Sequence, residues 1–97
     1  MLHLEPRHIQ IVQDILSKQV AERTVIAFGS RVTNKYKLHS DLDICVMGSE
    51  PLSLGQLSAL KEAFSESDLP IRVDVVDWAT ISPEFRGIIG ANYITIK

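Results

Sequence analysis

Long hydrophobic runs and dense clusters of lysine and arginine are both missing from this sequence. No apolar stretch approaches the roughly 20 residues that span a bilayer, and Met1–Arg7 lacks the apolar segment of a signal peptide. The 10 Lys and Arg residues against 12 Asp and Glu give a net charge of −2, whereas proteins that bind long nucleic acids normally carry a basic stripe. We therefore expect a cytoplasmic protein that binds neither membranes nor long nucleic acids.

Cysteine is nearly absent as well. The single thiol, Cys45, cannot form a disulfide within the chain, which fits a reducing compartment. It lies in an apolar run, so we interpret it as a buried structural residue. Hydrophobic residues make up 45% of the 97 residues, which is too many for a disordered segment and predicts one globular domain over residues 1–97.

The pattern of apolar residues predicts three helices and four strands. The predicted helices run over about 6–20, from a cap at Ser53 to the Asp68-Leu69-Pro70 stop, and from Ser82 to about Ala91. The predicted strands are Thr24–Phe28, Leu42–Met47, Ile71–Val76 and Tyr93–Ile96. A further helical turn or two is expected from Ser30, followed by an exposed loop over 33–40. This order indicates a small α/β or α+β fold.

A possible phosphate-binding turn, Gly29-Ser30-Arg31, directly follows the first predicted strand. Glycine lets the backbone approach a ligand closely, and free N–H groups at a helix start favour an anion. The Ser30 hydroxyl can donate to a phosphate oxygen, and Arg31 can add positive charge. A plain strand-to-helix turn is the alternative interpretation.

Two aspartates follow at a spacing that suits a metal ion. Asp41 and Asp43 are two positions apart on a strand, so their side chains share one face while Leu42 points into the core. Carboxylates side by side repel one another, and a divalent Mg²⁺ or Mn²⁺ ion relieves the repulsion because hard cations prefer oxygen ligands. The alternative is a solvated pair at a strand edge.

A third carboxylate, Asp74, lies in the apolar run 71–76. We expect it to be buried there, where an uncompensated charge is costly. Either a metal shared with Asp41 and Asp43 or an ion pair with Arg72 would compensate it. Asp77 has the opposite strand parity and is assigned to a turn or helix cap. The three-carboxylate arrangement predicts metal-assisted transfer from a nucleoside triphosphate, with the metal held by Asp41, Asp43 and Asp74 and the phosphates by the glycine turn.

These motifs resemble the signature of the DNA polymerase β-like nucleotidyltransferase superfamily. The segments Phe28-Gly29-Ser30-Arg31 and Ser40-Asp41-Leu42-Asp43, with the later Arg72–Trp78 strand, are similar to the minimal nucleotidyltransferases. The resemblance covers nearly the whole chain and implies a mixed sheet flanked by helices, magnesium dependence and ATP as the donor. One departure is Val32-Thr33-Asn34, where many relatives have a small residue, arginine and glycine.

The resemblance also implies a partner, because minimal nucleotidyltransferases are encoded beside an all-helical HEPN-type toxin. In that family the antitoxin can neutralise the toxin by transferring AMP to a tyrosine. We therefore expect an antitoxin enzyme that forms a hetero-oligomer or a homodimer. Two alternatives stay open: a binding module that masks the toxin sterically without catalysis, and transfer to a small molecule such as an antibiotic.

Overall fold

The computed structural model describes residues 2–97, and in this range three α-helices surround a four-stranded sheet. In chain order the elements are α1 (Pro6–Gln19), β1 (Val25–Phe28), β2 (Leu42–Val46), α2 (Leu54–Ser65), β3 (Val73–Asp77), α3 (Pro83–Ala91) and β4 (Tyr93–Thr95). A short 3₁₀ helix, Trp78–Thr80, lies between β3 and α3. The predicted order of helices and strands is confirmed.

The sheet is mixed, with strand order β3-β2-β1-β4. β1 pairs antiparallel with both β2 and β4, whereas β2 and β3 are parallel. Parallel neighbours need a crossover connection, and α2 supplies it. The mixed sheet flanked by helices that the family resemblance implies is therefore confirmed.

Local sequence signals define where two of the helices begin. Ser53 caps α2 by accepting a hydrogen bond from the Gln56 backbone N–H, and Ser82 caps α3 by accepting one from the Phe85 N–H. Each cap satisfies one of the N–H groups that a helix start leaves without a partner. Pro83 occupies the first turn of α3, where its missing N–H costs little.

The main core lies between one face of the sheet and the helices α1 and α2. Leu16 of α1 and Leu60 of α2 are completely buried there. The strand side chains on this face follow the alternation that the sequence predicts, and they are Val25, Ala27, Leu42, Ile44 and Val46. Removal of this apolar surface from water is the main favourable contribution to folding.

The opposite face of the sheet is covered in part by α3. Ile89 and Phe85 of α3 pack on a smaller cluster that contains Ile26, Phe28 and Cys45. The Phe28 and Phe85 rings meet edge to face, with centroids 5.9 Å apart. Burial of Cys45 agrees with its structural interpretation.

Two local expectations were wrong. Residues 30–35 form turns rather than a helix, although the Val32 and Thr33 N–H groups both donate to the Gly29 carbonyl. A single turn does not recover the cost of helix nucleation when no further helical turns extend it. β3 begins at Val73 rather than at Ile71, because its partner β2 begins at Leu42, opposite Val73. Within residues 2–97 no helix is both long enough and apolar enough to cross a membrane.

Candidate active site

The sheet register places Asp43 of β2 directly opposite Asp74 of β3. Phe28 of β1 lies opposite Asp43 on the other side, and Tyr93 of β4 lies opposite Phe28. Residues paired in this way point to the same face. One row across the sheet therefore consists of Asp74, Asp43, Phe28 and Tyr93.

Asp41 immediately precedes β2 and has the same parity as Asp43. Leu42 between them is completely buried in the main core, so the two aspartates lie on the face of the sheet that α1 and α2 do not cover. Both are partly exposed. The structure therefore brings the three predicted carboxylates to one edge of one face.

This arrangement raises the pKa of Asp43. Partial burial, and after it the negative charges of Asp74 and Asp41, raise the pKa of Asp43 to about 6. Within residues 2–97 no hydrogen bond or ion pair engages any of the three carboxylates. Their mutual repulsion is thus not relieved by a protein cation.

The expectation that Asp74 is buried was wrong, because its side chain is exposed. β3 is an edge strand of the sheet. On this face α3 packs against Cys45 and Val76, and it leaves Asp74 uncovered. The alternative of an ion pair with Arg72 is not found either, since the described residues show no salt bridge at that position. The partly buried carboxylate of the pair is therefore Asp43, not Asp74.

The glycine turn lies against the same carboxylate. Gly29 has φ +80°, a left-handed backbone conformation that residues other than glycine rarely adopt. A Cβ atom at this position would also collide with Asp43 Oδ2. Ser30 follows, and its hydroxyl makes no hydrogen bond to any other residue in the described part of the chain. A ligand bound at this turn would therefore lie beside Asp43.

Arg31, which the sequence placed in the nucleotide site, is directed elsewhere. Its side chain is buried, and its guanidinium donates hydrogen bonds to the backbone carbonyls of Ser40, His3, Leu38 and Lys37. These contacts occupy most of its five N–H donors. The sequence could not reveal this direction, because the carbonyl groups that hold Arg31 lie in irregular segments.

The chemistry of the three carboxylates fits a hard divalent cation. Oxygen donors suit Mg²⁺ and Mn²⁺, and the charges of Asp74 and Asp41 add to partial burial in raising the pKa of Asp43. Across residues 2–97, however, no three His, Cys, Asp or Glu side chains already form a closed metal-binding cluster. In the arrangement described, Asp41, Asp43 and Asp74 therefore do not yet surround a single ion.

Asp77 and Cys45 lie outside this chemistry. Asp77 is buried, with Oδ2 accepting from the Leu52 N–H at 2.8 Å and Oδ1 accepting from the Ala79 N–H at 3.1 Å. The prediction of a capping role for Asp77 is confirmed. Burial, together with the charge of Asp77, raises the pKa of the Cys45 thiol to about 11, so this thiol is unreactive near neutral pH.

Sequence reasoning missed Tyr93, which shares the sheet row of the two carboxylates and is 52% exposed. The sequence pattern predicted a strand over residues 93–96 but assigned Tyr93 no place in the site. A signal existed, since alternation along β4 leaves Ile94 facing the main core and Tyr93 facing away. The missing information was the pairing of β4 with β1.

Comparisons with known proteins show which family the chain resembles. The polymerase β nucleotidyltransferase family model matches residues 10–96. The chain is 50% identical over 96 residues to a probable protein adenylyltransferase MntA from Haemophilus influenzae, covering 99% of this chain and 84% of that protein.

Solved structures share the fold. A crystal structure of a toxin–antitoxin with AMP-PNP matches at TM-score 0.77 and 20% identity, over 92% of this chain and 72% of that one. A tri-AMPylated Shewanella oneidensis HEPN toxin in complex with MNT antitoxin matches at TM-score 0.65 and 19% identity, over 92% and 71%. With a glycine turn and three carboxylates at one edge of a mixed sheet, and a family model that spans nearly its whole length, this chain belongs to the polymerase β nucleotidyltransferase family.

Proposed function

We propose that this chain transfers AMP from ATP to a tyrosine hydroxyl of an all-helical HEPN-type toxin and thereby acts as its antitoxin in the cytoplasm. The observation that carries the proposal is the register pairing of Asp43 with Asp74 beside the Gly29 turn. A phosphate site next to uncompensated carboxylates is what metal-assisted nucleotidyl transfer requires.

The comparisons support the two finer parts of the proposal. The relative at 50% identity is named a probable protein adenylyltransferase, which favours a protein acceptor and AMP as the transferred group. The two structural neighbours described above are toxin–antitoxin assemblies, one of them with an AMPylated HEPN toxin. These names favour a toxin as the acceptor.

The residues of the site have separate roles in the proposed reaction. Asp41, Asp43 and Asp74 would hold Mg²⁺ or Mn²⁺, and the bound metal would neutralise the triphosphate and lower the pKa of the attacking hydroxyl. Gly29 would admit the phosphates to the backbone, and the Ser30 hydroxyl would donate to an oxygen of the pyrophosphate, which leaves as AMP is transferred. The carboxylate of Asp74, which is exposed, would accept the proton of the incoming hydroxyl.

The direct test is incubation with labelled ATP, Mg²⁺ and the all-helical protein encoded by the neighbouring gene. We expect the label on a tyrosine of that protein, and its loss with Asp41→Asn or Asp43→Asn. The matched control is Asp68→Asn, because Asp68 is an exposed aspartate in the segment that follows α2 and is not one of the three site carboxylates. Undiminished labelling by both site variants would refute the proposal.

A second measurement separates transfer from steric masking. If transfer neutralises the toxin, cells that express it should not survive with the Asp41→Asn, Asp43→Asn double variant as the only antitoxin. Survival with this variant would mean that binding alone is sufficient. The exposed side chains of Ile88 and Tyr93, at 69% and 52%, offer apolar surface to the proposed hetero-oligomer.

A further inference from the structure

We infer that Arg31 is a positioning residue, which holds the segment leading into Asp41 against the Gly29-Ser30 turn, and that it does not bind the nucleotide. The inference rests on the proposed function in that Asp41 is taken as a metal ligand. Arg31 follows Gly29 and Ser30 in the sequence, which suggested a contact with phosphate, and the inference gives it a structural role instead.

Three segments of the chain meet at this one side chain. Arg31 Nε donates to the Ser40 carbonyl at 2.9 Å, Nη2 donates to the Leu38 carbonyl at 3.0 Å, and Nη1 donates to the His3 carbonyl at 2.9 Å. The His3 N–H in turn donates to the Arg31 carbonyl at 2.7 Å. With only 6% of its surface exposed, Arg31 therefore ties the amino-terminal segment and the 33–40 loop to the phosphate turn.

These contacts reach Asp41 through its own backbone. The Ser40 carbonyl that Arg31 binds belongs to the peptide bond between Ser40 and Asp41. On the other side, the Leu42 N–H donates to the Arg72 carbonyl at 2.9 Å. Asp41 is thus fixed between two anchors, one on the phosphate turn and one at the start of β3.

The turn before Asp41 is itself closed by hydrogen bonds. The Lys37 N–H donates to Ser40 Oγ at 2.7 Å, and the Ser40 N–H donates to the Lys37 carbonyl at 3.0 Å. Arg31 Nη2 is also 3.4 Å from the same Lys37 carbonyl. One guanidinium therefore holds a preformed turn, so that a displacement of Arg31 would move Ser40 and Asp41 together.

The chemistry of the site requires an arginine. A guanidinium presents five donors in a fixed plane, whereas a lysine ammonium is a compact charge that cannot span three segments. Within residues 2–97 no carboxylate pairs with Arg31, so a buried cation is bound only by neutral carbonyls. The contacts of Arg31 are thus directed hydrogen bonds that fix the positions of these carbonyl groups.

An aromatic pair covers the guanidinium from outside. The Tyr36 ring lies 5.7 Å from the Arg31 carbon Cζ, and it stacks on His3 with centroids 4.6 Å apart. This pair offers a milder way to loosen the same segment, because Tyr36→Ala removes the cover and leaves all the Arg31 hydrogen bonds possible.

The test compares Arg31→Lys with the wild type in AMP transfer. Misplacement of a catalytic group costs rate rather than ground-state affinity. At saturating Mg²⁺ we therefore expect kcat to fall at least about tenfold while KM for ATP stays within about twofold. A residue that contacts the phosphates would instead raise KM for ATP. The matched control is Arg7→Lys, because Arg7 is an exposed arginine of the same amino-terminal region, and it should retain wild-type kcat.

Two readouts do not depend on transfer. Mn²⁺ binding measured by electron paramagnetic resonance without nucleotide should weaken in Arg31→Lys, and amide exchange of residues 37–42 should become faster. Tyr36→Ala should weaken Mn²⁺ binding and speed amide exchange as well, but by less, and its melting temperature should be unchanged. This variant therefore keeps the test valid even if Arg31→Lys is partly unfolded. Normal Mn²⁺ binding and exchange in both variants, or an increase in KM alone, would overturn the inference.

The outcomes also separate this inference from the proposed function. If the wild type modifies no partner, the proposed function fails, but Mn²⁺ binding and amide exchange still report whether Arg31 positions Asp41. If the wild type is active and Arg31→Lys retains its kcat and its Mn²⁺ affinity, the inference fails and the proposed function stands.

Discussion

Asp43 and Asp74 are register partners on two parallel strands, and no cation among the described residues pairs with either carboxylate. A pair of like charges opposite one another destabilises a sheet. The fold therefore carries a local electrostatic cost at the place where the glycine turn approaches Asp43. Such a cost is expected at a functional site, where stability is exchanged for chemistry.

Asp43→Asn should stabilise the apo protein while it abolishes activity. The pKa of Asp43 is raised to about 6, so the folded state binds this proton more tightly than the unfolded state. The free energy of unfolding of the wild type accordingly falls as the pH rises from about 4 to 6. At pH 8 we expect Asp43→Asn to gain about 1–2 kcal/mol, allowing for solvent screening, as measured by urea denaturation.

The gain should disappear at about pH 3, where Asp43 is mostly protonated in both states because this pH lies below its ordinary pKa of 3.8. Asp74→Asn provides a second check, since removal of the Asp74 charge should lower the pKa of Asp43 in a carbon-13 titration. A destabilising effect of Asp43→Asn at pH 8 would contradict the assigned electrostatics.

Metal binding should depend on pH in the same range. A protonated Asp43 is a poor ligand, and metal and proton compete for the carboxylate. We expect the apparent affinity for Mn²⁺ to increase as the pH rises from 5 to 7, with a midpoint near the Asp43 pKa of about 6. Isothermal titration calorimetry in buffers of equal ionic strength would measure it, and an affinity that does not change over this range would count against Asp43 as a ligand.

Gly29→Ala should damage both stability and activity. The left-handed backbone at φ +80° costs an alanine about 1–2 kcal/mol, and the added methyl group collides with the Asp43 carboxylate. Gly87→Ala is the matched control, because it lies inside α3 with open space around its Cβ position. That variant should gain up to about 1 kcal/mol from helix propensity, and thermal unfolding measures both changes.

Two aspartates on β3 should respond in opposite ways to alanine substitution. Asp77→Ala leaves the Leu52 and Ala79 N–H groups without their acceptor, so we expect a loss of about 1–3 kcal/mol in stability. Asp74→Ala removes an exposed carboxylate that has no protein partner in the described chain, so stability should not fall and transfer should be lost. Denaturation curves and transfer assays on both variants measure these effects, and a loss of stability in Asp74→Ala without a loss of transfer would contradict the prediction.

Core packing can be tested with a pair of leucines. Leu16 is completely buried between α1 and the sheet, whereas Leu54 at the start of α2 is 85% exposed. Leu16→Ala should cost about 2–5 kcal/mol, and Leu54→Ala should change stability by less than about 0.5 kcal/mol. Equal losses in chemical denaturation would contradict the assigned burial.

Much of the fold could be predicted because its signals are local. The serine caps at Ser53 and Ser82 and the apolar spacing of the helices depend on residues within one or two turns. Strand parity also correctly separated Asp74 from Asp77, since alternation along a strand needs no knowledge of its neighbours.

The remaining features depend on contacts between distant segments. Exposure of Asp74 follows from the edge position of β3, and the burial of Arg31 follows from carbonyl groups on His3 and Ser40. Tyr93 joins the row of the carboxylates only through the pairing of β4 with β1. Periodicity does not encode which strands pair, so these features required coordinates.

The buried thiol has a practical consequence for solution studies. Because Cys45 is fully enclosed and its pKa is raised to about 11, maleimide reagents should not reach it in the native protein. A cysteine introduced at Leu38, whose side chain is 80% exposed, would then accept a single fluorophore without removal of the native thiol. Fluorescence from that position would follow the docking of ATP or of a protein acceptor in real time.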